Sequence, residues 1–137
     1  MGQQLADNPI SLDESRNHLK NLSINSFREW MAIHRPPYCL EQTCKKVCII
    51  LHLPPISSSS SSENYFRSLH RFFMYEGNQN DKIAQLVSVR SEDLSPEQIQ
   101  YLKEYYEDEE CSPRKLQGVS EAGNALCLWL RALYLSS

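Results

Sequence analysis

The stretch that most constrains this chain runs from Val119 to Leu133, close to its C-terminal end. Its apolar residues Val119, Ala122, Leu126, Trp129 and Leu133 step by three, four, three and four. That is the spacing of a helix that buries a narrow seam on one partner helix. Ser112-Pro113 upstream is a start signal, because serine accepts from free N–H groups and proline fits the first turn without losing a bond. The pattern predicts a helix of about two dozen residues from there to the end, roughly 35 Å long at 1.5 Å per residue. Its first half holds small residues (Ala122, Gly123, Ala125) that permit close packing. Its second half, with Trp129 and leucines, suits one arm of a coiled coil that leaves the globule. The plainer alternative is an amphipathic helix docked on a bundle, since two heptads are few for a coiled coil.

Two proline pairs divide the rest. Leu19, Leu22, Phe27 and Trp30 predict a first helix from Leu12 to about His34, after a frayed start over residues 1–10. The five-residue step from Leu22 to Phe27 slips the phase, and Ile24, Phe27 and Met31 form a second stripe. Two stripes specify register against a partner only loosely. Pro36-Pro37 stops this helix, since each proline lacks an N–H and disfavours helix in the residue before it. Pro37 can also open the next helix, whose buried face is Leu40, Cys44, Val47 and Leu51. Lys45 and Lys46 fall off that face, and Glu41 is placed to pair with Lys45. Pro54-Pro55 ends the segment, and the serine run from Ser57 to Ser62 reads as a surface loop.

Tyr65, Phe66, Leu69, Phe72 and Phe73 mark a short aromatic helix with Arg67 and Arg71 on its outer side. Glu76 to Asn80 is a turn, and Ile83, Leu86 and Val87 form another helical stripe. Ser95-Pro-Glu-Gln98 is a capping box opening a helix that buries Ile99, Leu102 and Tyr106. Acids from Glu107 to Glu110 oppose the dipole at its C-terminus, so it should fray or stop abruptly. No alternating strand pattern and no repeat is present. The chain reads as all-α, a first and a last helix bracketing several short ones.

At 137 residues there is room for one core. With 41% apolar and 23% charged residues, a folded soluble protein is expected. The longest apolar run, Ala125 to Leu130, falls far short of the ~20 residues of a membrane span, so no membrane partner is expected. No basic-then-apolar leader opens the sequence, so secretion is not expected. Five cysteines without a CxxC pair indicate reduced thiols in a cytosolic setting. The net charge of −3 is uneven: nine acids stand against three cations between Asp81 and Glu110, leaving a mild basic excess elsewhere. A nucleic-acid binder would be basic overall. The acidic block is most simply a solvated helix face, with a docking surface for a basic partner as its alternative.

Cys44, Cys48 and His52 stand four apart, so one helical face can present them to zinc, with Cys39 near. Cys44 and Cys48 fall on or beside the apolar stripe, however, where cysteine is a small hydrophobe. We expect no metal and no cofactor. Nothing in the sequence sets a base and an orienting group beside a thiol, so no catalytic residue is assigned and the chain is not read as an enzyme.

The ordered features resemble the stalk tip of a dynein heavy chain, in a divergent form. They are a helix ending in a double proline, an apolar helix, short helices, and a Ser-Pro-started segment with the pattern S-x-A-x-x-x-L-C-x-W. The matching stretches are Phe27 to Leu51 and Asp81 to Leu133, with Ser112-Pro113, Ser120, Ala122, Leu126, Cys127 and Trp129 at the family's spacing. The serine loop matches least. The resemblance implies a small helical microtubule-binding bundle bracketed by two longer antiparallel helices, the base of a coiled-coil stalk. It divides the chain into a stalk arm over 1–34, a tip over 35–119 with the serine-rich loop at 56–62, and a returning arm over 120–137. Stalk packing would fall to Leu19, Leu22, Phe27, Trp30, Val119, Ala122, Leu126, Trp129 and Leu133.

In that family sliding of one arm on the other relays nucleotide state to the tip, and basic tip residues meet the acidic surface of tubulin. Here Lys45, Lys46, Lys82, Arg114 and Lys115 would serve, each with a solvated surface charge as its plain alternative. Gln117, Gly118 and Glu121 stand where the family often has lysine, which implies weak, salt-sensitive binding to microtubules. Other dynein-complex proteins are further expected partners. The expected setting is the cytoplasm and cytoskeleton, extending to a cilium or flagellar axoneme. No G-x-x-x-x-G-K-[ST] loop is present, and the chain is too short for a ring of ATPase modules, so this polypeptide alone is not a motor. The rival reading is a structural or docking module that keeps the fold and engages another protein. The two differ in whether Lys45, Lys46, Arg114 and Lys115 share one exposed face clear of the acids.

Overall fold

The computed structural model describes residues 11–33, 37–53, 56–57, 63–74, 79–116 and 118–137. Eight α-helices are described: α1 (Leu12–Lys20), α2 (Ile24–Met31), α3 (Tyr38–Leu51), α4 (Tyr65–Met74), α5 (Gln79–Val87), α6 (Pro96–Glu107), α7 (Pro113–Leu116) and α8 (Glu121–Ser136). A two-residue antiparallel pair, β1 (Ile56–Ser57) with β2 (Glu63–Asn64), flanks the serine run, and a 3₁₀ turn spans Ser91–Asp93. The expected all-α class holds, with that minimal ladder as an addition. The frayed start, Pro36, both Pro54 and Pro55, and most of the serine run lie outside the described residues, as does most of the turn at Glu76 to Asn80.

The predicted first helix is two helices. Asn21 closes α1, and the Ser23 hydroxyl accepts from the Ser26 N–H at 3.3 Å to begin α2. The phase slip between Leu22 and Phe27 is thus a break with its own N-cap, which lets α1 bury Leu19 while α2 buries Phe27 and Trp30. Ser11 and Glu14 form a capping box on α1.

The C-terminal helix also starts later than predicted. Ser112-Pro113 opens only the single turn α7, the chain turns at Gly118 and Val119, and Ser120 then caps α8 through the Gly123 N–H at 2.9 Å. Val119 therefore sits in the turn, 42% exposed, and does not belong to the seam. Nor is the seam narrow. Besides Ala122, Leu126, Trp129 and Leu133, α8 buries Gly123, Ala125, Cys127, Leu130 and Ala132. It packs against α1, α2, α3, α6 and α7, so neighbours cover it on most sides.

The second organising helix is α3, which packs on α4, α6, α7 and α8. A Cβ on Gly123 would come 2.7 Å from Leu40 Cδ1, so the lack of a side chain at that point sets how near α3 and α8 lie. At its C-terminal end His52 adopts a left-handed conformation (φ 60°, ψ 34°), and the Leu53 N–H reaches back to the Cys48 carbonyl at 2.8 Å. This is the hydrogen-bonded stop that normally carries glycine. Gln98 serves two helices from one side chain: its Oε1 accepts from the Ser95 N–H at 2.8 Å, and its Nε2 donates to the Ile49 carbonyl at 3.2 Å. Because a non-glycine residue is strained in the left-handed region, His52→Gly should stabilise the fold by about 1 kcal/mol. A higher urea midpoint at unchanged slope checks it.

The aromatic stripe of α4 buries Phe72 and Phe73, and Arg67 and Arg71 face outward as expected. Phe27 and Trp30 of α2 pack into it, with ring centroids 5.2 Å (Phe27–Phe73), 5.7 Å (Trp30–Phe73) and 5.9 Å (Trp30–Phe66) apart. On α6 the buried tyrosine is Tyr105, whereas Tyr106 is half-exposed and lies 5.2 Å from the Tyr134 ring. The predicted choice of Tyr106 is corrected by Thr43. The Thr43 hydroxyl donates to the Cys39 carbonyl at 2.8 Å and so accepts the Tyr105 hydroxyl at 2.6 Å, giving that phenol a buried partner. As expected, α6 stops abruptly: Asp108 is already extended.

Candidate functional site

The cations singled out in the sequence do not share one environment. Lys45 and Lys46 are successive on α3 and so point about 100° apart. Lys45 leans toward α4, its Nζ 5.8 Å from the centre of the Tyr65 ring. Lys46 turns toward α6 and is only 5% exposed, against the expectation that it falls off the buried face. Because α6 packs across that flank of α3, a position the α3 stripe alone leaves outside is covered.

Lys46 lies in a cleft of about 120 Å³ lined by Tyr38, Gln42, Glu104, Tyr105, Asp108 and Cys111. Its ammonium donates to Gln42 Oε1 at 3.4 Å and lies 5.4 Å from the Tyr101 ring centre. Burial, and then the like charge of Lys45, hold its pKa below the ordinary lysine value. On the rim the Tyr38 hydroxyl donates to Asp108 Oδ2 at 2.7 Å, and the Glu110 N–H donates to Oδ1 at 2.9 Å. The Tyr38–Asp108 bond pushes the Tyr38 phenol up to about 12, and the Tyr38 hydroxyl, then the Glu110 N–H, lower the Asp108 carboxyl.

Lys115, on α7, lies 3.6 Å from Glu110 with both side chains largely exposed, a contact worth little in water. Its neighbour Arg114 is exposed. Lys82 belongs to α5, which packs on α1 and α4, and its Nζ lies 4.6 Å above the Phe72 ring. The structure thus brings Lys46 together with Glu104 and Asp108, and Lys115 with Glu110, instead of holding them clear of the acidic block. Tyr38, Gln42 and Tyr101 were not read as neighbours of Lys46. Tyr38 and Asp108 are 70 residues apart, and no local spacing signals such a bond.

Of the residues expected to pack a stalk, Leu19, Leu22, Phe27, Trp30, Ala122, Leu126, Trp129 and Leu133 are all buried in the core. Cys44 and Cys48 are fully buried in that core as well, and all five cysteines are reduced thiols outside any disulfide. Among the described residues, no three His, Cys, Asp or Glu side chains gather to hold a metal. No described helix is long and apolar enough to cross a membrane.

No protein-family model matches the chain. No curated protein matches it either. Its fold is nonetheless shared with a solved structure described as "Microtubule Binding Domain of DYNEIN-C". The similarity has a TM-score of 0.70 at 21% identity, and it spans 89% of this chain and 79% of the other.

Proposed function

We propose that this chain is the microtubule-binding stalk-tip module of a dynein heavy chain-like protein, non-catalytic in itself. The observation that carries the reading is the fold similarity to a microtubule-binding domain over most of both chains. In this reading the tip spans 35–119, and residues 1–34 and 120–137 are the ends of two stalk arms that meet where α1 packs on α8. Its setting is the cytoskeleton. Microtubules are the partner, met through Lys45, Lys82 and Arg114, whereas Lys46 is buried and Lys115 lies beside Glu110. Gln117, Gly118 and Glu121, standing where the family often has lysine, mean fewer ionic contacts, hence weak binding that salt screens within about 10 Å at 0.1 M.

The test is charge reversal at sites where folding survives. A Lys45→Glu/Arg114→Glu variant should lose about tenfold or more in microtubule affinity at low salt, an effect of about 1.4 kcal/mol. Its helical circular dichroism should not change. Undiminished binding by a folded double variant would remove these residues from the interface. A second reading, a docking module that uses the acidic face of α6, is favoured by one observation: Lys46 shares a cleft with Glu104 and Asp108, and Lys115 lies 3.6 Å from Glu110, so these cations are not held clear of the acids.

A further inference from the structure

Lys46 is buried without being paired. It is 5% exposed, yet among the described residues its amine makes one hydrogen bond, to Gln42 Oε1 at 3.4 Å, and no ion pair. A charged N–H···O bond is ordinarily about 2.7–2.9 Å, and a lysine has three donors to satisfy. The core gains little from such a group, because a buried charge without a partner is costly. Lys46 instead lines the cleft between α3 and α6, whose rim residues Tyr38 and Glu104 are exposed and whose Tyr105 and Cys111 are buried. Burial, then the like charge of Lys45, lower its pKa, and Glu104, Cys111 and Asp108 oppose this without reversing it. A desolvated amine beside a second cation is a recurrent way to keep lysine nucleophilic near neutral pH. The two phenols of the cleft are held back from that role. Tyr38 is tied to Asp108 at 2.7 Å and Tyr105 to Thr43 at 2.6 Å, and both are pushed up, Tyr38 by its bond and Tyr105 by burial.

We propose that the Lys46 amine, in the wall of this cleft, is a covalent capture site for a small aldehyde. The nitrogen lone pair attacks the carbonyl carbon, the C=O π pair moves to oxygen, and a proton passes from nitrogen to that oxygen. The hydroxyl of this carbinolamine then leaves with a proton from solvent as water, and the nitrogen returns one proton as the C=N bond forms. One amine and one aldehyde give one imine and one water, with nothing oxidised or reduced. At about 120 Å³ the cleft is far smaller than a pocket for a drug-sized ligand, so it admits an aldehyde of only a few carbon atoms. Lys103 and Lys115 are exposed and stand outside it, so they serve as internal references.

The experiment treats the folded chain with acetaldehyde and sodium cyanoborohydride, whose hydride adds to the imine carbon and fixes each adduct as an ethylamine. Peptides taken at low conversion over a range of pH are mapped by mass spectrometry, with fragment ions separating Lys46 from Lys45. The expected result is that Lys46 is ethylated ahead of Lys103 and Lys115 at neutral pH, with its rate profile displaced to lower pH than theirs. Unfolding in guanidinium chloride should abolish both the preference and the displacement. In a Lys45→Met chain of unchanged helicity, the Lys46 profile should move back toward higher pH, a shift that a purely structural lysine would not show. A folded wild-type chain in which Lys46 reacts no faster than Lys103 and Lys115, or reacts only after unfolding, overturns the proposal whatever the variant does.

Discussion

Trp30→Ala is expected to lower the unfolding free energy by about 3–5 kcal/mol, the usual cost of deleting a buried tryptophan ring. Trp30 is 1% exposed on a helix of eight residues, too short to hold its shape unaided. Its ring touches Phe27, Phe66 and Phe73, and such tilted aromatic pairs add about 0.5–1.5 kcal/mol beyond buried area. The indole N–H is buried with no acceptor among the described residues, so the loss on going to alanine is one of packing. Against a total of about 5–15 kcal/mol for a native domain, the loss removes a large share of stability. Urea unfolding of the variant measures it. A loss under about 1 kcal/mol would mean that α2 is not docked on α4.

Gly123→Val should destabilise by about 1–3 kcal/mol through overpacking, although glycine costs a helix about 1 kcal/mol relative to alanine. The first added carbon already meets Leu40 Cδ1 at 2.7 Å and the Ser120 hydroxyl at 3.3 Å. Leu40 is fully buried, so its methyl has little room to withdraw, and pressure on Ser120 disturbs the cap of α8. Leu40→Ala in the same chain should offset part of the loss, with a coupling of about 0.5–3 kcal/mol in a double-mutant cycle. Strict additivity would contradict the close approach of α3 and α8.

Local chemistry was legible where its partners are near in sequence. The capping box at Ser95 and Gln98, the aromatic face of α4 and the small residues at the α3–α8 crossing all follow from spacing of a few residues. The break at Ser23 was present in the sequence only as a slipped stripe, and the cap that explains it needed the geometry. Burial of Lys46 was not legible, because it depends on where α6 crosses α3. The choice of Tyr105 over Tyr106 depends in the same way on Thr43, 62 residues away. The motif that carried the family resemblance proves to be fold chemistry: Ser120 caps α8, and Ala122, Leu126, Cys127 and Trp129 are core. It speaks for the architecture and not for a binding surface.

The most direct measurement is co-sedimentation of the unmodified chain with microtubules over rising salt, with helicity followed in parallel. The account predicts pelleting at the lowest ionic strength that fades steadily as salt is added. A folded chain that stays in the supernatant at the lowest salt would contradict the microtubule reading and turn attention to the acidic face of α6.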